Sequence, residues 1–275
     1  MRKIELIETT AVDRGLNAGR PATNPDPRPC NVFDDDQFMH EGTPPDITNN
    51  VVSFCKELKA EHPLCLEVRP AEGARQGWCF RNVLDHASTH GGGPLYGWII
   101  WGAPGLYWNA EFHCVWMQPH GGLLDITPKA DGERGVLFAP DQTFPEEFNF
   151  FQRPNNRRIR VYGMEEKKAL VEAKILGLSE ASLAYEMRKA DKKGLTLTQS
   201  ICSKLPRDRF EILIDTFLQS AGELEAMLVP TNEGLVCRDL NRWDEFQKRG
   251  RELNRMKLKL YTMADLMVRG VSRFG

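Results

Sequence analysis

The chain of 275 residues has no apolar run of the roughly 18–20 residues that a bilayer span requires, so no membrane crossing is expected. Its start, Met1 to Glu8, lacks the continuous apolar stretch of a secretory signal. The seven cysteines (Cys30, Cys55, Cys65, Cys79, Cys114, Cys202 and Cys237) are odd in number, scattered, and include no Cys-x-x-Cys pair. Neither a zinc knuckle nor a disulfide framework is indicated, and reduced thiols in a cytoplasm are the simplest reading. A formal net charge of −2 gives no push toward nucleic acid or a membrane surface. Internal repeats and low-complexity tracts are missing. Gly91-Gly92-Gly93-Pro94 lacks the Lys-Ser/Thr that follows a phosphate loop, and reads as a connector. His86 and His90 are four apart, as metal ligands can be, but the Glu of a His-Glu-x-x-His motif is absent and no third ligand is evident. They read as a solvated or helix-capping pair, and Asp34 to Asp36 as an acidic surface turn. No metal or cofactor is expected.

Three regions are present. Residues 1–48 carry Pro21, Pro25, Pro27, Pro29, Pro44 and Pro45, too many for regular ladders, and read as an extended arm. Residues 49–162 read as an α+β core. Val51, Val52, Cys55 and Leu58 form one helical face, with Asn49 or Asn50 as cap. Tyr96 to Trp101 and Arg158 to Tyr162 read as strands. Residues 163–275 read as a helical accessory region, with three-to-four spacing over 164–176, 180–190, 207–228 and 241–269. Asp208 with Glu211 suggests a capping box, Pro230 separates the last two helices, and Gly177 to Ala184 only faintly resembles a helix-turn-helix start. The last segment carries Arg242, Lys248, Arg249, Arg251, Arg255, Lys257, Lys259, Arg269 and Arg273 against four acids, over a stripe of Leu253, Met256, Leu260 and Met263. A solvated basic face over a packed stripe is the expected arrangement. Such helices could also dock a protein partner or a second copy of the chain.

The chemistry concentrates in the core, where five of the six tryptophans fall between positions 78 and 116. Cys79 follows Gly77, whose turn leads into a predicted helix over 79–89 that Gly91 to Gly93 end. At a helix start, unpaired N–H groups and a nearby imidazolium would lower a thiol pKa that is ordinarily near 8.5. His113 lies in the apolar run 108–117 and Asp125 in the next run, 122–127, so the two read as a hairpin across Gln118 to Gly122. With Gln118-Pro119-His120 as the loop, His113 falls directly opposite Asp125. Cross-strand Cβ atoms are about 4.5–5.5 Å apart, within reach of an imidazole–carboxylate hydrogen bond. Nucleophile, base and orienter then occur in the order Cys79, His113, Asp125. Trp78, Asn82, Trp98 and Glu111 are the expected substrate-binding residues.

The run His113 to Trp116, followed by Gly121 to Pro128, resembles the transglutaminase-like core, where a catalytic His opens a strand and an Asp closely followed by Thr lies on the next. The segment Arg75-x-Gly77-Trp78-Cys79-x-x-Asn82 is similar to the cysteine motif of arylamine N-acetyltransferases, which share that papain-like core. The resemblance covers roughly residues 50–162. Two departures stand out. The 12-residue interval from His113 to Asp125 is a little shorter than those families show, and Gln76 lies closer to the cysteine than the oxyanion glutamine of papain-like proteases. The resemblance implies Cys79 as nucleophile, His113 as base and Asp125 as orienter, with no oxyanion donor beyond the Cys79 backbone N–H. It does not fix the substrate; the leading reading is a thiol enzyme that transfers or hydrolyses the acyl group of a small-molecule or peptide amide, ester or thioester through an acyl-Cys79 intermediate. A binding protein that keeps the fold and docks a partner through its C-terminal helices is the alternative.

Overall fold

A computed structural model describes residues 41–130, 132–231 and 234–268. Most of the proline-rich arm, with Cys30 and Asp34 to Asp36, lies outside the described residues, as do Arg269 and Arg273. Helix α1 (Asn49–Glu57) buries Val51, Phe54 and Cys55. Its cap is Thr48, whose hydroxyl accepts the Val51 N–H, and not Asn49 or Asn50, which already lie inside the helix. Strand β1 (Leu64–Glu67) precedes helix α2 (Cys79–His90). The long strands β2 (Gly93–Ala103) and β3 (Tyr107–Met117) follow, then β4 (Leu123–Leu124), β5 (Gly135–Pro140) and β6 (Arg157–Arg160).

These strands form one antiparallel sheet in the order β1-β5-β2-β3-β4, with β6 also on β3. The fold is therefore α+β. Strand β2 pairs with β3 along its whole length, from Gly93 opposite Met117 to Ala103 opposite Tyr107. The other edge of β3 is shared. Strand β6 takes Tyr107 to Ala110, and β4 takes only Trp116 and Met117. Among the described residues, no strand thus pairs with 111–115 on that side. Alternation along the strands divides the core. Tyr96, Trp98, Phe112, Cys114 and Trp116 pack on one face with Val51, Phe54, Cys79, Val83 and Phe150. Ile99, Val115, Val136, Phe138 and Leu66 pack on the other.

The register of the β3–β4 hairpin differs from the sequence expectation. The Gln118 N–H donates to Gly122 O at 2.8 Å, and Gly121 sits inside the turn at φ 89°, a conformation that favours glycine. The loop is therefore Pro119 to Gly121, Trp116 pairs with Leu124, and His113 is not the ladder partner of Asp125. After Leu124 the chain leaves β3. Val68 and Asp125 form a parallel bridge, Asp125 N–H donates to Glu67 O, and Arg69 N–H donates to Asp125 O at 2.8 Å. The first and last strands of the order meet there.

Beyond β6 come helices α3 (Met164–Leu176), α4 (Glu180–Asp191), α5 (Leu197–Cys202) and α6 (Arg209–Glu225). A hairpin of β7 (Leu228–Thr231) and β8 (Gly234–Cys237) then leads to α7 (Trp243–Val268). Asp208 caps α6 by accepting the Glu211 N–H, but Glu211 turns to Arg160 and Lys167, so the expected box is half made. The complete box is Thr196 with Gln199 at α5. Phe210, Ile214 and Phe217 of α6 and Leu260 and Ala264 of α7 pack on Ala103, Leu106 and Tyr107 at the β2–β3 turn. The expected stripe Leu253, Met256, Leu260 and Met263 joins this cluster. Ion pairs of Arg158 with Glu225 and of Arg160 with Asp215 reinforce the junction. Among the described residues no helix is long and apolar enough to cross a membrane.

Candidate active site

Gly77, at φ 74°, turns the chain so that Cys79 begins α2. Trp78 holds the cap position without a side-chain cap bond, which leaves the first amides of the helix without a side-chain acceptor. Asn82, one turn further on, locks this entry. Its Nδ2 donates to Arg75 O at 2.8 Å and to Thr127 Oγ1 at 3.2 Å, while its Oδ1 accepts the Arg75 N–H at 3.0 Å. Both amide hydrogens are consumed, so Asn82 ties the helix start to the Asp125 loop instead of offering them to a substrate.

His113 lies in the middle of the unpaired stretch of the β3 edge. Its Nε2 meets Asp125 Oδ2 at 3.0 Å, with side-chain exposures of 6% and 0%. The imidazole also acts on Cys79, whose thiol it lowers, and with Nε2 engaged by Asp125 the free ring nitrogen is Nδ1. Cys79 packs with the even-numbered face of β3, whereas His113 belongs to the odd-numbered one. A covering strand at residues 111–115 would separate them; the gap lets them meet.

Asp125 is fully buried. Its Oδ1 accepts the Thr127 N–H at 2.9 Å and its Oδ2 also takes Lys129 Nζ at 2.6 Å. Burial works to raise this carboxyl, but the charges and hydrogen bonds of His113 and Lys129 hold it far below the usual carboxylate range. Burial and Lys129 work to lower His113, yet Asp125 and Cys79 lift it to about 9. Burial likewise raises the Cys79 thiol, but the charge and hydrogen bond of His113, the Cys114 N–H and the charge of Arg153 bring it below its ordinary value. The arrangement favours a thiolate–imidazolium pair. Cys114 is different: burial first, then the charges of Cys79 and Asp125, push its thiol far up, so it stays protonated.

The structure brings Cys79, His113 and Asp125 together, with Trp78 beside them under the Arg75 guanidinium at 4.9 Å. Glu111 lies on the same uncovered stretch of β3. Trp98 is 4% exposed and its Nε1 donates to Asp141 Oδ2 at 3.0 Å, so it braces the loop after β5 instead of facing a ligand. Lys129 and Arg153 are site residues that sequence reasoning missed. Lys129 follows Asp125 at an interval of four, a weak signal; Arg153 has no local signal at all. His86 and His90 stack at 4.0 Å and pack edge-on against Trp116, and among the described residues no group of three or more His, Cys, Asp or Glu side chains could hold a metal ion. No protein-family model, curated protein or solved structure matches this chain.

Proposed function

We propose that the protein is a thiol-dependent acyl-transfer enzyme or hydrolase of the transglutaminase-like, papain-like kind, working through an acyl-Cys79 intermediate. The observation that carries the reading is the meeting of Cys79 with the hydrogen-bonded pair His113–Asp125, drawn from a helix start, an open strand edge and a loop. The order of these residues along the chain and the packing of the nucleophile's helix on an antiparallel sheet support the family assignment. Chance assembly of a buried cysteine with both partners is a poor explanation for a cysteine that burial alone would keep protonated.

In this mechanism the Cys79 thiolate attacks the carbonyl carbon of an amide, ester or thioester. The new oxyanion is held by the Cys79 backbone N–H at the uncapped start of α2. His113 gives its Nδ1 proton to the leaving group as the tetrahedral species collapses, then takes a proton from the second nucleophile. Water completes a hydrolysis and an amine completes a transfer. Asp125 keeps Nε2 of the imidazole hydrogen-bonded, so that Nδ1 faces the reacting atoms throughout.

A second reading, a fold-retaining binding protein, draws on one observation: Cys79 is only 6% exposed. Alkylation decides between them. A catalytic Cys79 reacts with iodoacetamide near neutral pH far faster than Cys65, which is exposed, and faster than Cys30, Cys55, Cys114, Cys202 or Cys237. A Cys79 slower than Cys65 would leave the binding-protein reading in place.

A further inference from the structure

Four arginines punctuate the segment that returns to the β3 edge, and their surroundings differ. Arg158 pairs with Glu225 at 2.7 Å, Arg160 pairs with Asp215 at 3.0 Å, and Arg157 is exposed to solvent. Arg153 is partly buried, yet among the described residues its guanidinium makes no hydrogen bond and no ion pair. A guanidinium carries five N–H donors in a fixed plane, and leaving them unused away from water is costly. Here the plane is set by stacking. The Arg153 Cζ lies 4.6 Å over the Phe150 ring, and Phe150 in turn stacks on Phe80 at 5.1 Å and 13°. Phe80 is the residue after Cys79, so the column Arg153–Phe150–Phe80 ends beside the nucleophile.

We infer that Arg153 is the substrate-recognition residue of the Cys79 site, and that it takes the carboxylate of an acyl donor that bears one near its reacting carbonyl. The inference rests on the acyl-transfer reading above and supplies its substrate class. A face covered by Phe150 leaves the edge of the guanidinium to recognise a ligand, and that edge matches a carboxylate with two parallel hydrogen bonds. The charged groups around Arg153 are Cys79, Glu111 and Glu225. Glu225 is already taken by Arg158 and by the Asn156 N–H, so it does not compete for those donors. Among the described residues Glu111 makes no ion pair either, and its charge of opposite sign acts on Arg153 from the uncovered stretch of β3. Burial lowers the Arg153 guanidinium somewhat, which fits a cation awaiting an anion.

The test compares two alkylating agents of one shape and different charge on the full chain, read by mass spectrometry of the Cys79 peptide. Iodoacetate carries a carboxylate, iodoacetamide does not; each forms an Sγ–CH2 bond at the thiolate and releases iodide. The iodoacetate-to-iodoacetamide rate ratio at Cys79 is expected to exceed that of free cysteine in the same buffer. In Arg153→Gln the ratio should fall about tenfold, the worth of one charge-assisted hydrogen bond, and Arg153→Lys should keep part of it. Because the ratio is taken on one thiolate, a general loss of Cys79 ionisation cancels. A wild-type ratio no higher than that of free cysteine overturns the inference, as does a ratio unchanged in folded Arg153→Gln. Should that variant not fold, an unchanged ratio in Arg153→Lys overturns it equally. Slow labelling of wild-type Cys79 by iodoacetamide alone is a separate failure, that of the acyl-transfer reading.

Discussion

His113 Nε2 and Asp125 Oδ2 lie 3.0 Å apart in a setting where neither side chain is more than 6% exposed, and that same oxygen holds Lys129 at 2.6 Å. Asp125 therefore holds both the imidazole and the Lys129 ammonium. Asp125→Asn should leave a folded protein, since the amide oxygen can still accept from Nε2 and Lys129, at 15% exposure, can turn outward. Turnover should fall roughly 10- to 1000-fold, less than the loss of about 10⁴ seen in a serine triad, because a thiolate–imidazolium pair is formed before substrate arrives. Asp125 is held below its ordinary value, so its contribution to stability is present above about pH 4 and is lost as pH falls further. Chemical denaturation of wild type and Asp125→Asn should differ above pH 4 and converge in acid. A constant difference would show that Asp125 is not ionised in the folded protein.

Cys79→Ala and Cys79→Ser should abolish turnover. Cys79 packs in the main cluster, but the change to alanine removes a single sulfur atom, so the loss of stability should stay below about 2 kcal/mol, the lower end of a core truncation. Thermal unfolding checks the second half of the expectation. A larger loss, or turnover that survives, assigns the residue to packing.

The elements with strong periodicity are legible in the sequence. Helices over 164–176 and 180–190 match α3 and α4 closely, and Gly91 ends α2 as its φ of 73° requires. Cys79, His113 and Asp125, which the structure brings together, were visible too, as a cysteine at a helix start and a His and Asp in successive apolar runs. The register was not. Choosing Gln118 rather than Gly121 as a loop residue misaligned the hairpin, and Asp125 reaches His113 only because the chain crosses to β1 after Leu124. Such a crossing depends on contacts between Asp125 and residues 67–69, which no local pattern records. Strand β5 was missed because its run of Val136 to Ala139 is buried on both faces and does not alternate. Arg153 was invisible for the same reason as the crossing: its importance lies in Phe150 and Phe80, brought together by folding.

The pH dependence of alkylation should carry the signature of the ion pair. An ordinary thiol with a pKa near 8.5 gains reactivity about tenfold per unit below that value. Cys79 is held below its ordinary value and His113 is raised to about 9, so between about pH 7 and 8.5 the Cys79 rate should rise less steeply than that. The linkage has a defined sign. The share of His113 is full below about pH 6.5 and is lost as pH rises through about 9; the share of Cys79 is full above its ordinary value and is lost as pH falls toward its folded one. Between about pH 6.5 and 8.5 these two shares oppose each other. A Cys79 rate that climbs with the hydroxide concentration through this range would rule out the pair.

Asn82→Ala should separate positioning from chemistry. It removes three hydrogen bonds that join the Arg75 turn, the start of α2 and Thr127, and leaves the Arg75 N–H and C=O without these partners. A stability loss of about 1–3 kcal/mol is expected. The Cys79 alkylation rate should fall as well, with Asn82→Asp restoring less of it than of the fold, because a carboxylate there cannot donate to Arg75 O or Thr127. An unchanged Cys79 rate in a folded Asn82→Ala would show that the turn holds its shape without the amide.

Removing everything after Tyr162 tests whether the helical region is separable, and the packing predicts that it is not. The boundary cuts through an apolar cluster: Ala103, Leu106 and Tyr107 of the core are covered by Phe210, Ile214 and Phe217 of α6 and by Leu260 and Ala264 of α7. It also strips the acidic partners from Arg158 and Arg160 on β6, the strand that borders the open edge where His113 sits. The Tyr107 hydroxyl bonds Glu41 and Tyr261, so its position would depend on Glu41 alone. The truncated chain should expose this patch and aggregate or self-associate, measured by light scattering. Its Cys79 should lose iodoacetamide reactivity as the β6 edge loosens. If instead the fragment is monomeric and its Cys79 labels at the full-length rate, the helices are a separable module, and the acyl-transfer site is complete within residues 41–162.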